Sequence, residues 1–408
     1  MRRCIINQAG ALLDVQGDYS ITSGYYGGQI VNAGTFRKSA GASNCVVSSI
    51  YFLNTGTVEA LSGTIDLQAG GTLDGTWATV AGTTIRFSQG TFALTPSVVF
   101  SGAGFVGIDS GNPTLAGTLS TTLPWTGGTI AGNWTVATNG LLTLSGTGVK
   151  SLTGVLTNAG TVTLQSGLQF GYYYVQIVNQ AGALLGVQGD YSITSGYGGQ
   201  IVNAGTFRKS AGTGSCVVSI RIYFLNTGTV ETEAGILQCD GGFIQSSGRT
   251  VLKGGNFAST SPIQIFGGTL SGVGTVTGDV TSSGNVSPGA SPGLLTISGN
   301  YTQAVGGALS IELAGLVPGT SFDRLIVSGT ASLAGALNLT LTNGFYPPTN
   351  ANFSFLTCGT RTGTFGTFNY PSNAVGMQVN YTAINASAQV INVAPWLPVF
   401  ASQTNDLC

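Results

Sequence analysis

Apolar and polar residues alternate along this chain in runs of four to six, such as "TVTL", "GTIDL" and "LLTL", each bounded by Asn and Gly. Alternation of period two sends successive side chains to opposite faces of an extended strand, and Asn/Gly punctuation marks the turn before it. The punctuation recurs: "NQAGALL" at Asn7, "NAGTF" at Asn32, "NTGTV" at Asn54, "NGLLTL" at Asn139 and "NAGTV" at Asn158. It returns as "NQAGALL" at Asn179, "NAGTF" at Asn203 and "NTGTV" at Asn226. The steps are 25 and 22 residues from Asn7 through Asn32 to Asn54, 24 and 23 from Asn179 through Asn203 to Asn226, and 19 from Asn139 to Asn158. No 3.6-residue apolar period with capping signals is found, so no helix is predicted.

A recurrence of about 20–25 residues with several short strands in each predicts an all-β fold: a parallel β-helix, or β-solenoid, with a β-rich C-terminal cap. Its coils would stack at about 4.8 Å, with Val, Leu, Ile and Phe in interior columns and Thr and Ser outside. Asn tolerates tight turns and hydrogen-bonds to identical neighbours, so the markers predict an asparagine ladder.

The blocks at about residues 5–66 and 177–238 are near copies. "IVNAGTFRKSAG" occurs at Ile30 and again at Ile201, and the offset is 172 residues both from Asn7 to Asn179 and from Glu59 to Glu231. One residue is lost after Tyr25 and one gained near Arg221, so phase is restored and the duplication reads as whole coils, seven or eight of them, roughly 35 Å along the axis.

Composition narrows the function classes. Only 7% of residues are charged, 42% are hydrophobic, 65 are Gly and none is His. No apolar run reaches the roughly 18 residues of a membrane-spanning helix, and hydrophobicity this high argues against disorder. Thirteen scattered positive residues and a net charge of -1 give no nucleic-acid-binding stripe. Cys4, Cys45, Cys216, Cys239, Cys358 and Cys408 form no CxxC pair, and without His no usual zinc site is expected. Cys45 and Cys216 hold equivalent places and are expected to be buried free thiols in equivalent slots. "MRRCIINQAG" has no apolar segment of a signal peptide, so the chain reads as a fragment of a longer exported protein.

From Gly267 the style changes. "GVGTVTGDV", the run "SPGASPGLLTISGNYTQ" from Ser287 and "FDRLIVSGTASLAGALNL" from Phe322 resemble, in order and composition, the C-terminal passenger region of bacterial autotransporters and related surface adhesins. The resemblance covers about residues 267–368, and the upstream blocks are similar to the Gly/Thr/Asn-rich repeats of large exported bacterial surface proteins. It implies a right-handed parallel β-helix that is secreted or displayed at a bacterial cell surface. Only 40 residues follow Phe368, forming a tail over 369–408, whereas the family carries a membrane β-barrel there. Another export route is therefore open. The chain thus divides into solenoid repeats over 1–266, the passenger-like region over 267–368 and the tail.

Candidate chemistry is sparse. Without His no Ser/His/Asp or Cys/His catalytic set can form, which leaves carboxylates. Glu231 and Glu233 alternate in "VETEAG" and with Asp240 make the best acidic group, set against a plain solvated face. Asp14, Asp18 and Asp66 are conceivable calcium ligands, but no "DxDxDG" run supports them, and no metal or cofactor is expected. Arg37, Lys38 and their copies Arg208 and Lys209 read either as two anionic-glycan contacts or as solubilising charge on a turn. "GYYGG" with Tyr25 and Tyr26, its counterpart "GYGG" with Tyr197, and "FGYYYVQ" at Phe170 read as exposed aromatic loops suited to sugar rings. The reading is a stalk or adhesive passenger contacting surface polysaccharide or host glycans. A polysaccharide lyase or hydrolase, or a self-associating filament or phage-fibre component, is the alternative.

Overall fold

The computed structural model describes residues 3–24, 27–372 and 375–393. They form a parallel β-solenoid of about 14 turns with about 22 residues per turn and no helix. Among the described residues no helix is long and apolar enough to cross a membrane. In most coils three strands make three faces. In the first, Arg3–Asn7 is followed by Leu12–Gln16 and Ile21–Thr22, which pair in parallel with Gly28–Asn32, Thr35–Ala40 and Asn44–Ser48 of the next.

The alternation in the sequence becomes the wall of this stack. One side chain of each pair points into the column and the next points out, so equivalent apolar residues lie over each other. Ile177, Ile201, Phe224, Phe243 and Ile263 are consecutive register partners on the first face, all at most 1% exposed. Rings interlock between faces: Phe36 meets Phe52 edge-on with centroids 5.2 Å apart, and Trp77 meets Phe87 at 5.4 Å. Such contacts add about 0.5–1.5 kcal/mol beyond the area they bury.

The corner between first and second faces carries the expected ladder. Asn7 Nδ2 donates to Asn32 Oδ1 and Asn32 Nδ2 to Asn54 Oδ1, both at 2.7 Å. Asn158, Asn179, Asn203 and Asn226 continue the pattern at 2.7–2.8 Å, and Asn226 passes it to Gln245 at 3.1 Å. Asn139 differs from the expectation. It is exposed in a turn, and the ladder position of its coil is Val136, the register partner of Asn158. An Asn-Gly turn and an Asn-x-Gly ladder corner look alike in sequence, which accounts for the irregular step of 19.

The glycine two places after Asn32, Asn54, Asn158, Asn203 and Asn226 serves close approach of backbones. A Cβ on Gly56 would lie 2.2 Å from the carbonyl oxygen of Gly34 below it, and one on Gly228 would lie 2.2 Å from that of Gly205. Coils meet here backbone to backbone, so any side chain would force them apart.

The copied blocks are a whole number of coils apart. Eight pairings link Arg3–Asn7 to Val175–Asn179, through Gly28–Asn32, Ile50–Asn54, Gly71–Leu73, Gln89–Leu94, Asn112–Leu119, Gly128–Val136 and Lys150–Asn158. Eight coils rise about 38 Å. Parallel pairing runs without a break across Gly267, from Ile263 to Val280 to Tyr301. At the C-terminal end Asn352–Gly363 still pairs in parallel with Arg324–Leu333, but Asn385–Val393 adds to it antiparallel and Val375–Tyr381 to that strand in turn, burying Phe353, Phe355 and Met377 over the last coils.

Candidate functional site

The three corners of the coil carry different chemistry. The first-to-second corner holds the ladder, the second-to-third holds buried lysines, and the third-to-first holds tyrosines.

Arg37–Lys38 and Arg208–Lys209 lie within the strands Thr35–Ala40 and Thr206–Ala211, which corrects the turn position expected for them. Strand alternation separates each pair. Lys38 and Lys209 point inward, and each is already held by a carboxylate of its own chain, so neither is free to contact a ligand. Lys38 Nζ donates to Asp18 Oδ1 at 2.9 Å and to the carbonyls of Ala40 and Gly41. Lys209 Nζ repeats this with Asp190 Oδ1 at 2.9 Å and the carbonyls of Gly189 and Ala211. The bond from Lys38 and the backbone N–H of Ser43 hold the Asp18 carboxyl below its usual range, and Lys209 with the Gly214 N–H does so for Asp190.

The arginines face outward. Arg37 Nε donates to Glu59 Oε2 at 2.9 Å, while Arg208 Nε contacts Glu231 at 2.7 Å and Glu233 at 3.4 Å. Lys253 closes the second group, with Nζ 2.7 Å from Glu231 and 3.8 Å from Glu233. Glu231 and Glu233 do share one side, as alternation implies. Burial raises the Glu231 carboxyl, but the bonds from Lys253 and Arg208 outweigh it and hold the group below its ordinary value. A carboxylate held in this way is a poor proton donor at neutral pH.

Asp240 does not join them. It follows the third-face strand Ile236–Cys239 and accepts from Gln238 Nε2 at 2.8 Å and Thr260 N at 3.2 Å. Asp14, Asp18 and Asp66 are likewise scattered: Ser39 donates to Asp14, Lys38 to Asp18, and Ser88 and Gln68 to Asp66. Among the described residues no group of three or more acidic or Cys side chains is arranged to hold a metal ion. Cys45 and Cys216 are buried free thiols in matching slots, pushed up by burial to about 11 and about 12.

The tyrosines converge on the third-to-first corner where the second copy begins. Tyr172, Tyr173 and Tyr174 lie between the strands Leu168–Phe170 and Val175–Asn179, and Tyr197 occupies the same corner one coil on. Tyr173 and Tyr197 have ring centroids 4.9 Å apart, and Tyr172 sits 5.5 Å from Tyr173 and 5.7 Å from Tyr197. Tyr174 stands out at φ 63° and is 93% exposed. Tyr223 completes the surface on the first face, in register with Gln200, which is in register with Gln176. Gln176 Nε2 donates to Gln200 Oε1 at 3.2 Å. Tyr173, Tyr174, Tyr197 and Tyr223 with Gln176 and Gln200 line a groove of about 430 Å³.

Tyr197 and the "YYY" run stand out separately in the sequence, whereas Tyr223 and the two glutamines do not. The signal was available, since outward positions of adjacent coils share a register. In the first copy Gln29 and Tyr51 hold the equivalents of Gln200 and Tyr223. Tyr25 and Tyr26 lie outside the described residues. No family model matches the chain, and no curated protein matches it.

Proposed function

We propose that the chain is a non-catalytic, elongated scaffold from an exported bacterial surface protein, a stalk or adhesive passenger, that contacts uncharged glycan through the tyrosine groove. The observation that carries this reading is the gathering of Tyr173, Tyr174, Tyr197 and Tyr223 around Gln176 and Gln200, with no charged side chain in the lining. Aromatic faces stack on the C–H faces of sugar rings, and amides donate to and accept from hydroxyls. A bulky residue held at positive φ, as Tyr174 is, is uncommon and strained. The surface placement rests on the low charge content and on the passenger-like run from Gly267.

The test is a glycan array with a cleavage panel, run on the wild type and on a Tyr173→Ala/Tyr197→Ala variant. Expected is binding of neutral oligosaccharide without cleavage, weakened about tenfold or more in the variant. Unchanged binding in the variant removes the groove from the reading. Release of new reducing ends replaces it with an enzyme.

A further inference from the structure

Three lysines of this chain are almost wholly enclosed, Lys38, Lys150 and Lys209, and all three sit at the second-to-third corner of their coils. Two of them face a carboxylate of their own chain, Asp18 and Asp190. Lys150 does not. Its Nζ donates to the carbonyls of Gly148 at 2.6 Å and Gly146 at 3.2 Å, and among the described residues no carboxylate lies within ion-pair distance. An ammonium has three N–H donors, so two carbonyls leave one in hand. Burial pulls the Lys150 pKa below the ordinary lysine value.

A second group points to the same place. Ser166, 8% exposed, has a buried hydroxyl with no hydrogen-bond partner. A buried hydroxyl left unpaired is destabilising unless something fills the place of its partner. Lys150 and Ser166 line one cavity of about 730 Å³, together with Gln165, Gln169, Tyr191 and Thr194. The cavity opens to solvent past Val149 and Thr194, both exposed.

We infer that this corner is a binding site for a carboxylate, with the Lys150 ammonium and the Ser166 hydroxyl as its donors. The class of ligand follows from the other two corners, where a carboxylate accepts from the enclosed lysine at 2.9 Å and from a backbone N–H as well. At Lys150 the chain supplies the cation and the extra donor but no anion. A small free carboxylate and the carboxylate of an acidic sugar have the same chemistry here. The site lies on a different corner from the tyrosine groove and stands or falls independently of it.

Titration calorimetry on the whole chain tests this with acetate, D-glucuronate, a uronic-acid oligomer, D-glucose and inorganic phosphate as probes. Saturable binding of acetate or glucuronate is expected, with none for glucose. Lys150→Gln should weaken binding by about tenfold or more, and Ser166→Ala by about fivefold. Acetate equal to glucuronate identifies a free-carboxylate site, and tighter binding of glucuronate or its oligomer identifies an acidic sugar. Ser166→Ala removes only an unpaired hydroxyl and guards against misfolding of the lysine variant. No carboxylate binding, equal binding of glucose, phosphate binding alone, or affinity unchanged in the folded variants overturns the proposal.

Discussion

The Lys209 ammonium is fully enclosed, yet the Asp190 carboxylate it meets at 2.9 Å is 42% exposed, and Lys38 with Asp18 repeats the arrangement eight coils away. The cation is thus fixed inside the column while its partner seals the corner from the solvent side. The two members of the pair are not equivalent. Removing the anion strands a buried charge on carbonyl oxygens alone, whereas removing the cation leaves a carboxylate that water can solvate.

The first prediction follows from that asymmetry. Asp190→Asn should destabilise the chain more than Lys209→Met, whose apolar side chain fits the column at a cost of about 1 kcal/mol or less. Urea unfolding of both variants checks the order, and equal losses would mean that the lysine is solvated after all.

A second prediction concerns coil spacing. Gly228→Ala places a methyl group 2.2 Å from the Gly205 carbonyl oxygen and should cost about 3 kcal/mol. Gly196→Ala is the control, since its Cβ would meet nothing within 4 Å. Comparable midpoints for the two variants would contradict the tight backbone stacking.

How far these features were legible in the sequence depends on whether they repeat. Period, strand alternation, the ladder and the whole-coil offset could all be read, because each coil restates them and "NAGTF" at Asn32 and Asn203 is the same physical corner. The inward turn of Lys38 was not legible. Alternation says that Arg37 and Lys38 oppose each other, but which one faces in depends on the phase set by Phe36, which is buried beside them. Glu231 and Glu233 could be placed on one side from spacing alone. Their neutralisation by Lys253 could not, since it needs the register that lays one coil on the next. The tyrosine groove was half legible for the same reason: Tyr197 and Tyr223 belong to different coils.

The ladder gives a third prediction. Asn203 Nδ2 donates to Asn226 Oδ1 at 2.7 Å and to Thr229 O at 3.0 Å, and its own oxygen accepts from Asn179. Asn203→Leu should cost about 2 kcal/mol or more, because buried polar groups above and below lose their partners. Hydrogen exchange should quicken at the neighbouring corners near Asn179 and Asn226. Faster exchange spread evenly over all coils would show that the ladder acts globally instead of locally.

The fourth prediction is a pH dependence whose sign separates one carboxylate from the rest. Burial pushes the Asp323 carboxyl up to about 6 from its ordinary value of 3.8, with hydrogen bonds from Glu312 N and Gly293 N opposing the rise and the Glu312 charge adding to it. Between those values the folded chain holds a proton at Asp323 that the unfolded chain has lost. Stability therefore falls as pH rises through this window and is level above it. Asp18 and Asp190 are shifted down, so their contribution is present above about pH 3.8 and is lost as pH falls further. Glu231, also shifted down, acts the same way below its ordinary 4.5, which leaves the span from 4.5 to about 6 to Asp323 among these groups. Asp323→Asn should forfeit one backbone hydrogen bond at every pH and lose the slope over that span. Urea midpoints of wild type and variant measured from pH 4.5 to 7 should converge as pH rises, and parallel curves would mean that Asp323 is ionised in the folded chain throughout.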